Sequence, residues 1–342
     1  MIEGRGERLR RVPILEDTMH GLTRWTALGM LLAAAACDTG AGPEAAEPFD
    51  ARAVADDYAA ITSILGSADW TGVRVVGRAT QPAGAAAGSP GPAGAPLISD
   101  LNRGSTFVYD PESGDWVVDP DRDGAPENGV RFIIYEEVAG VPDPSRERGF
   151  ADLIDEGDDS VEDIALRLRV TEAGAVTLDY AIRADETDGA GSLSTMGYVV
   201  GDGQRLDFDV RAEGEQGGTH TLTFDLAVDE RDFAVGGEAT GSETSDDGRV
   251  VVEASHRSHR LDLDVAAESG SLDGRIDVDG RGFVTVAGPS DDPVFTRADG
   301  SPLRPVEVLA LLGIMDFVED VFDLVEDVLD PVDNIVVLGF LL

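Results

Sequence analysis

DIALRLRVTEAGAVTLDYAIRAD, residues Asp163–Asp185, decides the fold. Ile164, Leu166, Leu168 and Val170 alternate with Ala165, Arg167 and Arg169. After a short polar break, Val176, Leu178, Tyr180 and Ile182 alternate with Thr177, Asp179 and Arg183. Successive side chains of a strand point to opposite faces, so each run has one apolar face and one charged face. The same sorting recurs in Leu206, Phe208 and Val210, in Leu222, Phe224, Leu226 and Val228, in Leu261, Leu263 and Val265, and in Leu272, Ile276 and Val278. The joining segments are short and rich in Gly, Asp and Ser, which predicts an antiparallel meander. The meander starts at a hairpin: Ser105–Asp110 and Asp115–Asp119 flank Pro111-Glu112-Ser113-Gly114, with proline presetting one turn position and glycine taking the positive-φ one.

A sheet with one apolar face must cover it by closing, by folding over or by packing on a helix. The chain supplies a helix at Pro305–Leu329, with Ile314, Phe317, Val321, Leu324 and Val328 on one stripe and Val318 and Val325 beside it. Asp316, Glu319, Asp320, Asp323, Glu326, Asp327 and Asp330 form the opposite side, where the macrodipole and their own repulsion disfavour them. Packing must therefore hold this helix. The expected fold is mainly β: an antiparallel meander forming a curved sheet or a partly closed barrel, with this helix on its apolar face. A short N-terminal helix over 50–65 completes it, capped by Asp50 with Val54, Tyr58, Ile61 and Leu65 at helical spacing. The run 81–96 (QPAGAAAGSPGPAGAP) reads as a disordered loop, and Asn334–Leu342 (NIVVLGFLL) as one more buried strand. An outer-membrane barrel would alternate in the same way, but the aromatic content is 6% and no aromatic belts mark the strand ends.

The 342 residues carry 67 acids against 26 basic residues, all arginine, for a net charge of −41. Nucleic acid is excluded as a partner, because its recognition needs clustered positive charge. Cys37 is the single cysteine, so the chain makes no internal disulfide. Ahead of it stands a basic stretch with Arg8, Arg10, Arg11 and Arg24, then the apolar run Leu22–Ala36 (LTRWTALGMLLAAAA) ending in small residues. Basic, apolar and small in that order is a signal peptide, and the apolar core is shorter than the roughly 20 residues a spanning helix needs.

With Ala34-Ala35-Ala36-Cys37 as its lipobox, this segment resembles the bacterial lipoprotein class. The resemblance covers residues 1–37 and departs from the commonest pattern in having Ala34 where leucine is usual. It implies removal of 1–36, acylation of Cys37, and export to the cell envelope with lipid anchoring in the inner or outer membrane, facing the periplasm or the cell surface. Starting at Met1 or at Met19 gives the same mature end. Residues 37–49 then form a flexible tether of small and polar residues, and 50–342 a single β-rich domain.

Chemistry-bearing residues are sparse. Asp119, Asp121 and Asp123 with Gly124 have the D-x-D-x-D-G spacing of a calcium loop, with Glu127 as a further ligand, but Val130 stands where a bidentate glutamate belongs. His256 and His259 flank Arg257-Ser258, and a hairpin there would set the imidazoles opposite each other as a zinc pair lacking its third ligand. His220 begins a strand two hairpins earlier, on the order of 25 Å away along the sheet. The sequence carries no G-x-S-x-G elbow and no phosphate loop between strand and helix. These residues fit a non-catalytic envelope lipoprotein whose domain is structural or binds a protein partner. Two other readings are a carrier of a lipid or other apolar ligand between sheet and helix, and a metal-dependent hydrolase.

Overall fold

A computed structural model describes residues 97–157 and 163–329, apart from 188, 202, 216, 243 and 246, together with 331, 332, 335, 336 and 338. Cys37, the tether over 37–49, the helix expected over 50–65 and the loop over 81–96 lie outside the described residues. Fifteen strands precede one long helix: β1 (Thr106–Asp110), β2 (Asp115–Val118), β3 (Gly129–Val138), β4 (Val141–Asp155), β5 (Asp163–Glu172), β6 (Ala175–Thr187), β7 (Ala190–Gly201), β8 (Gln204–Glu215), β9 (Thr219–Val228), β10 (Phe233–Ser242), β11 (Gly248–His256), β12 (His259–Glu268), β13 (Ser271–Val278), β14 (Arg281–Pro289), β15 (Val294–Arg297) and α1 (Pro305–Leu329). All fifteen strands belong to one mostly antiparallel sheet. Their linear order, β15 through β3 in sequence and then β1 and β2, leaves it unclosed.

Turn chemistry explains the meander. Ala139-Gly140, Ala173-Gly174, Ser269-Gly270 and Asp279-Gly280 all have positive φ at both residues. They join strands paired at Val138↔Val141, Glu172↔Ala175, Glu268↔Ser271 and Val278↔Arg281. Two-residue loops of this type match the twist of the strands they connect, and glycine takes the second position without strain. The meander breaks once: β1 pairs with β3 in parallel, through Thr106↔Arg131 and Phe107↔Phe132, and β2 lies outside it. A parallel pair needs a long crossover, which β2 and the polar connector 119–128 provide together.

The contacts divide the chain into two compact units, with boundaries inside β8 at Asp209/Val210 and inside α1 at Glu326/Asp327. In the unit containing β1 to β7, Phe107, Trp116 and Phe132 pack with ring centroids 5.1–5.7 Å apart, and Tyr135 closes on Trp116 at 6.1 Å. Leu153, Leu166, Leu168, Tyr180 and Ile182 are fully buried from adjoining strands. The Tyr180 hydroxyl donates to the carbonyl of Val328 near the end of α1, while its ring packs on Phe208. The expected C-terminal strand is corrected here: 331, 332, 335, 336 and 338 are helical. Val332, Ile335 and Leu338 are 0–2% exposed, and their spacing of three is helical rather than alternate.

The other unit holds β9 to β15 and α1 as far as Glu326. Its strands bury Leu222, Phe224 and Leu226, Leu261 and Leu263, and Leu272 and Ile276, the alternate positions named above, and β11 adds Val250 and Val252. On α1 the buried side is wider than the predicted stripe, since Ala310, Leu311 and Phe322 join Ile314, Phe317, Val318, Val321, Leu324 and Val325. Phe322 meets Phe224 edge-on at 5.5 Å, and Phe317 meets Phe233 at 6.4 Å. Phe224 lies over Gly237, its cross-strand partner, where a Cβ would come within 2.5 Å of the ring. The glycine makes room for the aromatic side chain, which in turn covers the bare backbone. Asp316, Glu319, Asp323 and Glu326 face outward.

Candidate functional site

The connector after β2 turns the aspartate string into a self-contained loop. Asp119 accepts the Asp121 amide at 3.0 Å, and its other oxygen is 3.5 Å from Nε of Arg122. The Arg122 guanidinium donates onward to Glu147. Asp121 and Asp123 are exposed, and the guanidinium of Arg131 lies against Gly124. Asp119 is thus engaged by the loop's own amide and by Arg122, and the three aspartates are not grouped as a metal site.

The histidines differ in setting. His256 and His259 are register partners, as the two-residue turn predicts. His256 is 1% exposed and packs edge-on against Phe233, whereas His259 is half-buried with Nδ1 3.1 Å from Asp279. The second Asp279 oxygen accepts the Arg260 amide at 3.0 Å, so this aspartate ties the start of β12 to the β13–β14 turn. His220 pairs with Gly241 at the far end of β10 from Phe233, which is the partner of His256. That separation is on the order of 25 Å at about 3.3 Å per residue. Among the described residues no group of three His, Cys, Asp or Glu side chains is placed to hold a metal ion.

Sequence reasoning missed the buried carboxylates. Asp152 receives a two-pronged bond from Arg131 at 2.7 and 2.9 Å, and that guanidinium also lies 3.7 Å over the ring of Phe150. Asp155 accepts from the amides of Leu97, Ile98 and Gly157 and from Arg103, tying the segment before β1 to the end of β4. Glu307, 2% exposed in the first turn of α1, accepts from the amide and the guanidinium of Arg304, each at 2.8 Å, with Arg297 at 3.3 Å. Buried charges persist when their acceptor sites are filled. For Glu307 the sequence held one usable signal, an acid three residues after Arg304 at a helix start.

Burial raises the Glu307 pKa, but the side-chain and backbone bonds from Arg304 and the charge of Arg297 outweigh it and hold the carboxyl below its ordinary value of 4.5. A carboxylate depressed in the folded state contributes stability above the unfolded value and loses it as pH falls through the folded one. Urea unfolding midpoints should accordingly fall below about pH 4.5 more steeply for the native chain than for Glu307→Gln. Superimposable pH profiles would contradict this.

On the outward faces, cross-strand arginines answer the aspartates. Arg249 grips Asp264 with two bonds of 2.8 Å, and Arg167 and Arg169 share Asp179 at 3.1 Å each. The Arg249 bonds also hold Asp264 below the ordinary aspartate value. Exposed pairs of this kind contribute little individually, yet they relieve like-charge repulsion between neighbouring strands.

No protein-family model, curated protein or solved structure matches the chain.

Proposed function

We propose that the chain is a non-catalytic lipoprotein of the cell envelope, anchored through acyl chains on Cys37, whose β domain is structural or binds a protein partner. The observation that carries this reading is the order of basic residues, apolar core and Ala34-Ala35-Ala36 ending at the single cysteine. The polar, small-residue stretch Asp38–Pro48 supports it as a tether. No helix among the described residues is long and apolar enough to cross a membrane; in this reading attachment comes from the acyl chains.

The chemistry of the described domain favours a module over an enzyme. Its buried acids are filled by arginines and amides, and His256 and His259 stand in a core contact and a turn. A carrier would need apolar side chains open to a ligand, whereas Phe224, Phe233, Phe317 and Phe322 are at most 9% exposed and cover one another.

Mass spectrometry of the protein extracted from membranes tests the anchor. The mature chain should begin at Cys37 with a diacylglyceryl thioether, and Cys37→Ser should move the protein to the soluble fraction. An unmodified thiol at Cys37 would remove the proposal.

A further inference from the structure

The β3–β4 hairpin runs past the strands that flank it. β5 holds β4 from Gly149 to Asp155, and β1 holds β3 at Arg131 and Phe132. Beyond Tyr135, which is buried on Trp116, and Arg148, whose carbonyl accepts the Ala173 amide, the two strands between Glu136 and Arg146 ladder with each other. Most of this arm is exposed, and a two-stranded ribbon without further support is marginal in water. Its shaft is charged, with Arg146 bound to Glu136 at 2.9 Å and near Asp143 at 3.4 Å. Its tip differs: Val138-Ala139-Gly140-Val141-Pro142 has neither charge nor a polar side chain, and both valines are 50% exposed. The tight turn at Ala139-Gly140 sets those valines side by side on one face.

Two features argue against another protein chain as the occupant. In a two-residue hairpin the residues flanking the turn bond to each other, so the next pair, Glu137 and Pro142, directs its backbone groups outward. Pro142, and Pro144 two residues on, therefore remove N–H donors from the outer edge of β4, and the register shifts at Tyr135 twist the ribbon away from a flat edge. A tip of five residues is also far smaller than the roughly 800 Å² per partner of a stable protein interface. A bilayer interface demands neither strand pairing nor a shaped counter-surface, and it accepts small apolar groups up to the first charge.

We infer that the tip Val138–Pro142 inserts into the interfacial layer of the bilayer, giving the domain a second contact that fixes its orientation. This rests on the lipid-anchored reading, because two valines hold weakly alone and gain from the high effective concentration that a tether supplies. Glu137 and Asp143 bracket the tip and stop it at headgroup depth. With a chain charge of −41, zwitterionic lipid is favoured over anionic lipid.

The test uses the mature chain from residue 37 with a polyhistidine tag at its N-terminus, Cys37→Ser and Ala139→Cys, a polarity-sensitive fluorophore on the new thiol, and phosphatidylcholine vesicles bearing a chelating lipid as tether. Emission should rise severalfold and shift to the blue on tethering. A label at Glu112→Cys, on the exposed β1–β2 turn, should stay as in buffer. Adding Val138→Asp and Val141→Asp should abolish the rise with the far-ultraviolet circular dichroism unchanged. An unchanged signal at 139 overturns the inference, as does an equal rise at 112, which would mean adsorption without a preferred face. A rise before vesicles are added also overturns it, since the tip would then be covered by protein. Because the tag supplies the tether, this result is independent of Cys37 acylation, which the mass measurement decides separately.

Discussion

Gly197→Ala should destabilise the protein by about 3 kcal/mol or more, by overpacking against backbone that has no room to move. Gly197 sits in the interior of β7 opposite Tyr180, with φ +154. A Cβ there would lie 1.8 Å from the carbonyl oxygen of Asp179 and 2.8 Å from its carbon. A flexible side chain could rotate away from such a clash, but a carbonyl inside a ladder cannot without breaking the pairing of β6 with β7. The displaced segment also carries Tyr180, which is fully buried, packs on Phe208 and donates to the Val328 carbonyl. At roughly 2–4 °C per kcal/mol for a domain of this size, the melting temperature should fall by about 6–12 °C. Gly203→Ala provides the control. Its φ is +76 and nothing lies within 4 Å of the added atom, so it isolates conformational strain of about 1 kcal/mol. If calorimetry gives equal losses for the two variants, the close approach at Asp179 is not what fixes glycine at 197.

Alternation revealed the strands that are buried on one face. β5, β6, β8, β9, β12 and β13 carry it plainly, and their large buried aliphatic and aromatic residues are among those the sequence named. β10 escaped because its inward positions after Phe233 and Val235 are Gly237, Ala239 and Gly241, small residues that yield to Phe224 and leave no hydrophobic period. The outer half of β4, VPDPSRER, is exposed on both faces, so burial imposes no pattern on it. The clue in that segment was the pair of prolines, which reads as a broken strand until one sees an unpaired edge. The end of the chain failed for the opposite reason. A short apolar run satisfies strand and helix alike, and the spacing of Val332, Ile335 and Leu338 was the feature that separated them.

The candidate site was legible in its parts but not in its pairings. The turn between His256 and His259 and the distance to His220 follow from strand counting, because antiparallel register is arithmetic once the turns are placed. The arginines that occupy the aspartates do not follow from it. Arg131 reaches Asp152 and Gly124 from β3, and Arg297 reaches Glu307 from β15. Such contacts depend on which strand lies next to which, including the parallel pairing of β1 with β3 that the meander rule did not anticipate.

Phe317→Ala should cost about 3–5 kcal/mol, the usual range for removing a fully buried aromatic ring. Phe317 is 0% exposed and stands edge-on to Phe233, which stands edge-on to His256. Truncation therefore opens a void and strips Phe233 of its edge-on partner. The comparison that gives this number meaning lies on the other side of the same helix. Asp323, exposed near the C-terminal end of α1 with Glu319 and Asp327 four residues to either side, opposes the macrodipole and its like-charged neighbours, so Asp323→Asn should gain about 0.3–1 kcal/mol at low ionic strength and less as salt rises. The packing loss is several times larger than the electrostatic gain, which is why an acid-rich sequence with no basic residue in its last turn still forms a helix of 25 residues. Urea unfolding of both variants at low and high salt separates the two effects. The Phe317→Ala loss should be insensitive to salt and the Asp323→Asn gain should shrink. A salt-sensitive loss at Phe317, or one below about 1 kcal/mol, would mean that the apolar stripe of α1 is not what binds it to the sheet.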